Sequence, residues 1–163
     1  MGLDQYLYIE KYDSAWRHEK DTSDEWKKKF YEPELGDLAA TLLKSGFSKT
    51  IRYEVAYWRK ENAIHKWFID NYASGEDECQ DIWISTDALK KLVCVCEQVL
   101  EKRTPEIAAK LLPTTDGFFF GSTDYDEWYF SGLEDTIRML DPVIKFLDSP
   151  EGKDYDVMYS SSW

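Results

Sequence analysis

The chain has 163 residues, 43% hydrophobic and 16% aromatic, with a net charge of −12. A length of this order makes one domain that hides roughly two-thirds of its unfolded surface, and the large aromatics supply the burial that disordered chains lack. The acidic balance argues against direct binding to nucleic-acid phosphates, and no apolar run approaches the ~20 residues of a membrane span.

The first predicted element is a strand from Leu3 to Tyr12, with Leu3, Leu7 and Ile9 facing one way and Asp4, Tyr6, Tyr8 and Glu10 the other. Residues 13–48 read as a polar excursion, with a helical run at Asp24–Phe30 and a short helix from Asp37 to Leu43, closed near Gly46. A second strand follows at Thr50–Trp58, rich in β-branched and aromatic types, and then a helix from about Lys60 to Tyr72. A third strand covers Gln80–Ile84. Ser85-Thr86-Asp87 caps an amphipathic helix over 87–102, whose apolar stripe is Leu89, Leu92, Val93, Cys96, Val99 and Leu100.

A short helix runs from Pro105 to Leu112 and stops before Pro113. Phe118–Gly121 reads as a buried strand, and Glu127–Phe130 either pairs with it or opens a helix. Consecutive aromatics on a strand alternate faces, so something must cover both: a helix on one side, and on the other a second helix, the excursion or a partner chain, including a second copy. Ser131-Gly132-Leu133-Glu134 reads as a capping box for a last helix that Pro142 kinks or restarts. Tyr155–Trp163 adds a final strand. Strands and helices mix without a βαβ rhythm, so the expected class is α+β: a single domain with an antiparallel or mixed sheet and helices packed on it.

The charge is lopsided. Residues 1–60 hold eleven basic and eleven acidic residues, and residues 61–163 hold nine and twenty-one. A negative field favours solubility and attraction to basic proteins. The three cysteines, Cys79, Cys94 and Cys96, are an odd count without a signal peptide, which suggests reduced thiols in a cytosol. Cys94 and Cys96 fall on different faces of one helix, so no metal is expected there, and nothing in the sequence calls for a cofactor.

Two aromatic-polar blocks hold the candidate site residues. In the first, Trp58, Arg59, Asn62 and His65 sit where a strand passes into a helix. Trp58 can stack on a flat ring, Arg59 can grip a carboxylate or phosphate, and a helix start offers free N–H groups to an anion. The competing reading makes His65 a hydrogen-bonded structural residue and Trp58 a core residue. In the second block, Tyr125, Asp126 and Trp128 complete the candidate set, beside Asp124 and Glu127. The acids lack calcium-loop spacing and fit a helix start better than a metal site. No nucleophile elbow, phosphate loop, zinc pair or kinase signature occurs, so whether the protein is an enzyme stays open.

The chain opens Met1-Gly2-Leu3-Asp4-Gln5-Tyr6-Leu7 and carries Tyr57-Trp58-Arg59-Lys60, Asn62-Ala63-Ile64-His65 and Trp67-Phe68. Later come Leu111-Leu112-Pro113, Gly117-Phe118-Phe119-Phe120-Gly121, Tyr125-Asp126-Glu127-Trp128-Tyr129-Phe130 and Ser161-Ser162-Trp163. In these blocks it resembles a group of small uncharacterised proteins encoded by bacteriophages and prophages. The likeness covers most of the chain except roughly residues 13–48. It implies a bacterial host cytosol and a phage-type accessory role, and it carries over no catalytic residues. Together with the charge, it leads to the expectation of an acidic protein that binds a bacterial host protein, as a decoy for a basic nucleic-acid-binding surface. The alternative is a binder of a nucleotide-like or anionic small molecule, or a small enzyme, using the Trp58–His65 junction. A further expectation brings the two blocks to one sheet edge, with Arg59 facing Asp124, Asp126 or Glu127.

Overall fold

The computed structural model describes residues 2–15, 33–45 and 47–163. The helical run expected at Asp24–Phe30 lies outside the described residues, as does Gly46. The chain divides into two compact units, residues 11–51 and a larger one made of residues 1–10 and 52–163.

Four strands build one antiparallel sheet: β1 (Asp4–Ala15), β2 (Phe47–Arg59), β3 (Ile82–Ile84) and β4 (Asp156–Ser162), in the order β2-β1-β4-β3. Among the described residues there are five α-helices: α1 (Asp37–Ser45), α2 (Asn62–Tyr72), α3 (Thr86–Lys102), α4 (Pro105–Leu111) and α5 (Glu127–Asp148). The fold is α+β. In the smaller unit, α1 follows a 3-10 turn at Pro33–Leu35 and buries Ala39 while Leu38 stays exposed.

In the larger unit the period-two pattern of β1 decides which face is inside. Leu3, Gln5, Leu7 and Ile9 are buried, and Tyr6, Tyr8 and Glu10 are only partly so. β4 pairs with β1 from Asp4↔Ser162 to Glu10↔Asp156 and buries Val157, Tyr159 and Ser161 on the same side. β3 adds Ile82 opposite Tyr159 and Ile84 opposite Val157. Ile64 and Phe68 of α2, Leu89 and Leu92 of α3, and Leu133 and Leu140 of α5 join this inner face in one core. Tyr159 stacks on Phe68 with ring centroids 4.1 Å apart. Across the outer face, the Arg52 guanidinium lies over the Tyr8 ring and bonds Glu10 (2.7 Å) and Asp81 (2.8 Å).

Caps set the helix boundaries. Ser85 accepts a bond from the Ala88 N–H at the start of α3, and Arg103 in the left-handed region closes that helix. Thr104 and Pro105 start α4. Asp126 starts α5 by accepting from the N–H groups of Trp128 (3.0 Å) and Tyr129 (3.1 Å). The box expected at Ser131 therefore lies inside the helix. One carboxylate satisfying two free N–H groups, with Glu127 in the first turn, is a stronger start than Ser131 offers. Pro142 does not restart the helix, which runs unbroken to Asp148. Pro142 is exposed, so the carbonyl it leaves without a partner can face water.

The strand expected at Phe118–Gly121 is a turn instead. Phe119 (φ +65°) and Gly121 (φ +96°) are in the left-handed region, and the Phe120 N–H bonds the Gly117 carbonyl at 3.2 Å. A Cβ on Gly117 would lie 2.5 Å from the Phe120 ring, so only glycine lets that ring fold back. Asp116 adds to the turn by accepting from the Gly117 N–H at 3.0 Å.

Candidate functional site

β2 leaves the sheet at Arg59, and Lys60 (φ +63°) turns the chain into α2. Asn62, the first helical residue, is buried and fully occupied. Its amide N–H groups donate to the carbonyls of Ser122 (2.8 Å) and Phe120 (3.2 Å), and its oxygen accepts from the Thr115 N–H at 3.2 Å. This clamp draws the 114–126 loop against the β2–α2 junction. Between them lies a half-open cleft of about 320 Å³, bordered by Arg59, Lys60 and Glu61 on one side and by Gly121, Asp124, Asp126, Trp128 and Tyr129 on the other. The two blocks thus meet along one cleft, by way of a clamped loop and not through neighbouring strands.

The expected site residues separate into two groups. Arg59, Asn62, Asp126 and Trp128 line the cleft. Trp58 and His65 do not. Trp58 is 2% exposed, and its indole N–H donates to the Thr136 hydroxyl at 2.9 Å. It faces inward because the alternation of β2 puts it beside Ala56 in the core, so it cannot stack on a ligand. Tyr125 packs edge-on against Tyr129, and its hydroxyl accepts from the Thr114 N–H at 3.3 Å, so it braces the loop. Arg59 makes no ion pair with Asp124, Asp126 or Glu127. Its partner is Asp4, at a loose 3.9 Å, and Glu127 pairs with Arg103, whose other nitrogen holds Glu134 at 2.7 Å.

His65 is also 2% exposed. Its Nδ1 lies 2.7 Å from the Tyr159 hydroxyl and its Nε2 lies 2.9 Å from Asp77 Oδ2. The Phe120 ring meets it edge-on at 5.3 Å. Asp77 Oδ2 also accepts from the Trp163 indole N–H at 2.9 Å, and Tyr159 reaches Gln5 Oε1 at 3.1 Å. Burial lowers the His65 pKa, while Asp77 opposes that shift. The Asp77 carboxylate can only accept, so Nε2 carries a proton and donates to it, and the single phenolic proton of Tyr159 is shared between two neighbours, His65 Nδ1 and Gln5 Oε1. Both nitrogens are occupied, so His65 ties α2 to β4 and the chain end.

Glu61 carries the clearest chemical signal in the cleft, and it was not among the residues singled out from the sequence. Its carbonyl accepts from the His65 N–H (3.0 Å) and from Gln5 Nε2 (3.2 Å), but its carboxyl group has no hydrogen-bond or ion-pair partner among the described residues and does not cap α2. It rests on Gly132 of α5, where a Cβ would stand 2.3 Å from the Glu61 carboxyl oxygen. Burial, aided by the Asp135 carboxylate, pushes the Glu61 pKa up to about 7. A glycine in the middle of a long helix signals close approach, and Gly132 held that signal. Beneath it, burial also raises the Tyr129 phenol and pushes the Cys96 thiol up to about 12.

Large aromatics stand exposed on both flanks of Lys60. Trp128, which shares the cleft with it, is 84% exposed. On the other side, where a Cβ on Gly121 would meet Lys60 Cβ at 3.0 Å, the turn leaves Phe118 77% exposed and Phe119 46% exposed. Among the described residues no group of His, Cys, Asp and Glu could hold a metal ion, and no helix is long and apolar enough to cross a membrane.

Comparison of the chain with protein-family models, with curated proteins and with solved structures finds no match to any of them.

Proposed function

We propose that this is an accessory interaction protein of phage type that binds a host protein in the bacterial cytosol. The observation that supports this is the exposure of three large aromatics of the second block, Trp128, Phe118 and Phe119. Folding buries aromatics of this size wherever it can, and those left out, next to Arg and Tyr, are the residue types that dominate binding energy at interfaces. The acidic surplus of residues 61–163 selects a basic partner face, of the kind a nucleic-acid-binding protein presents. The bacterial partner is inferred from the likeness of the aromatic blocks to phage-encoded proteins. The test is affinity capture from bacterial lysate at low and high salt, with the Trp128→Ala/Phe118→Ala double variant beside the wild type. The expected result is a protein retained by the wild type at low salt and lost both at high salt and with the variant. No retained protein at low salt, or equal retention by the variant, removes this reading.

A second reading has its own observation. The Glu61 carboxyl group, half-buried and without a partner, faces a cleft large enough for a small ligand. A thermal-shift screen of small charged molecules tests it, because a ligand that binds the folded state must stabilise it. Unchanged melting with every compound ends this reading.

A further inference from the structure

The cleft's charged groups fall into two sets of opposite sign, and the inference rests on reading the cleft as a small-ligand site. Glu61 and Asp124 supply carboxylates without a hydrogen-bond or ion-pair partner among the described residues. Asp126 is already taken up by the N–H groups of Trp128 and Tyr129. On the positive side, Lys60 has no ion-pair partner among the described residues, and its stem packs between Gly2, where a Cβ would lie 3.3 Å from Lys60 Cε, and Gly121. Beside it, α2 begins with no side-chain cap, and its first residues, Asn62, Ala63 and Ile64, are buried. The Trp128 indole forms a wall.

We propose that the cleft binds a small zwitterion of the α-amino-acid class. Its ammonium lies between Glu61 and Asp124, its carboxylate lies at Lys60, and its side chain lies against Trp128. A simple anion would leave the two carboxylates unmatched and close to new negative charge, and a simple cation would meet Lys60 and Arg59 unrelieved. One molecule carrying both signs a bond or two apart relieves both sets. The cleft volume of about 320 Å³ is enough for a single amino acid.

The charge on Glu61 links binding to pH. Asp135 and Tyr129 from α5 and Cys96 from α3 act on it, and Asp124 and Asp126 from the loop and Arg59 and Lys60 from the preceding chain line the same cleft. Tyr129 and Cys96 hold their protons through neutrality. An ammonium needs the Glu61 carboxylate, so affinity should rise with pH through about 7.

The experiment titrates the full chain with each standard amino acid up to about 10 mM, following the Trp128 indole N–H resonance, assigned with Trp128→Phe, together with the melting temperature. The expected result is that at least one amino acid shifts both. Its N-acetyl and its amide derivatives, each lacking one charge, should bind at least about tenfold more weakly, and affinity should fall about tenfold from about pH 8 to about pH 6. Glu61→Gln should lose the affinity and the pH dependence, and Asp124→Asn should lose affinity alone. The proposal is overturned if the derivatives bind as well as the parent, or if Glu61→Gln binds as the wild type does. If no amino acid binds while a nucleotide or other anion does, the zwitterion fails and the cleft stays a ligand site. If nothing binds, both fail.

Discussion

Glu61 and His65 stand one turn apart at the start of α2, joined by a backbone hydrogen bond of 3.0 Å, and folding treats them in opposite ways. His65 turns inward to Tyr159 and Asp77, and both of its nitrogens are matched. The Glu61 carboxyl group turns toward α5 and meets the bare Cα of Gly132, where nothing answers it. The doubly bonded His65 ring rigidifies the fold and has no capacity left for a ligand, although Asp77 Oδ1 beside it is buried without a partner among the described residues. An unmatched group in a cleft weakens the fold and keeps its capacity. The difference shows why a polar residue at a strand–helix junction cannot be given a role from its type alone: the partner across the core decides.

The largest effect should come from the closed side. His65→Ala removes two hydrogen bonds and opens a cavity beside Tyr159, leaving Asp77 with only the Trp163 indole and Tyr159 with only Gln5, at a cost of about 3 kcal/mol in urea denaturation. A loss under about 1 kcal/mol would mean that the network does not anchor α2 to β4. Because burial lowers the His65 pKa, its neutral form favours the fold above about pH 6.5, and its share of stability should be lost as pH falls below that value.

Glu61→Gln should act in the other direction. In the unfolded chain Glu61 ionises near 4.5, and in the fold only near 7, so across that window ionisation favours unfolding. The variant should match the wild type below about pH 4.5 and exceed it by about 1–2 kcal/mol above about pH 7. A constant difference across pH would show that Glu61 has a partner in solution.

Asp126→Ala should cost about 1 kcal/mol, the usual loss for a helix cap. No loss would place the start of α5 elsewhere, at Ser131 for example. The smallest effect is expected from Arg59→Ala, at under about 0.5 kcal/mol, since its ion pair among the described residues is a loose one with Asp4 at an exposed site. A larger loss would restore the pairing with the loop acids that the sequence suggested.

Much of the fold was legible. The alternation of Leu3, Leu7 and Ile9 gave the buried face of β1, and the stripe with its Ser85 cap gave α3 almost to the residue. Those signals are local, since periodicity reports one element's exposure to one core. Phe118–Gly121 misled because three aromatics outweighed the turn chemistry of Asp116, Gly117 and Gly121. At the cleft, that Arg59 and Asn62 share a wall could be read from their closeness in sequence. That His65 leaves it depends on Asp77, Tyr159 and Gln5, which approach only once the sheet has closed. Glu61 was missed for the same reason, because its environment is made by Gly132, far along the chain.

The most direct test is an NMR titration of the Glu61 side-chain carboxyl carbon, assigned with Glu61→Gln. A partnerless carboxyl group pressed against Gly132 should titrate with a midpoint of about 7, and the midpoint should fall into the ordinary carboxylate range in Gly132→Ala, whose added methyl displaces it. A wild-type midpoint of about 4.5, the ordinary value of a glutamate, would contradict the account of an unmatched group facing the cleft.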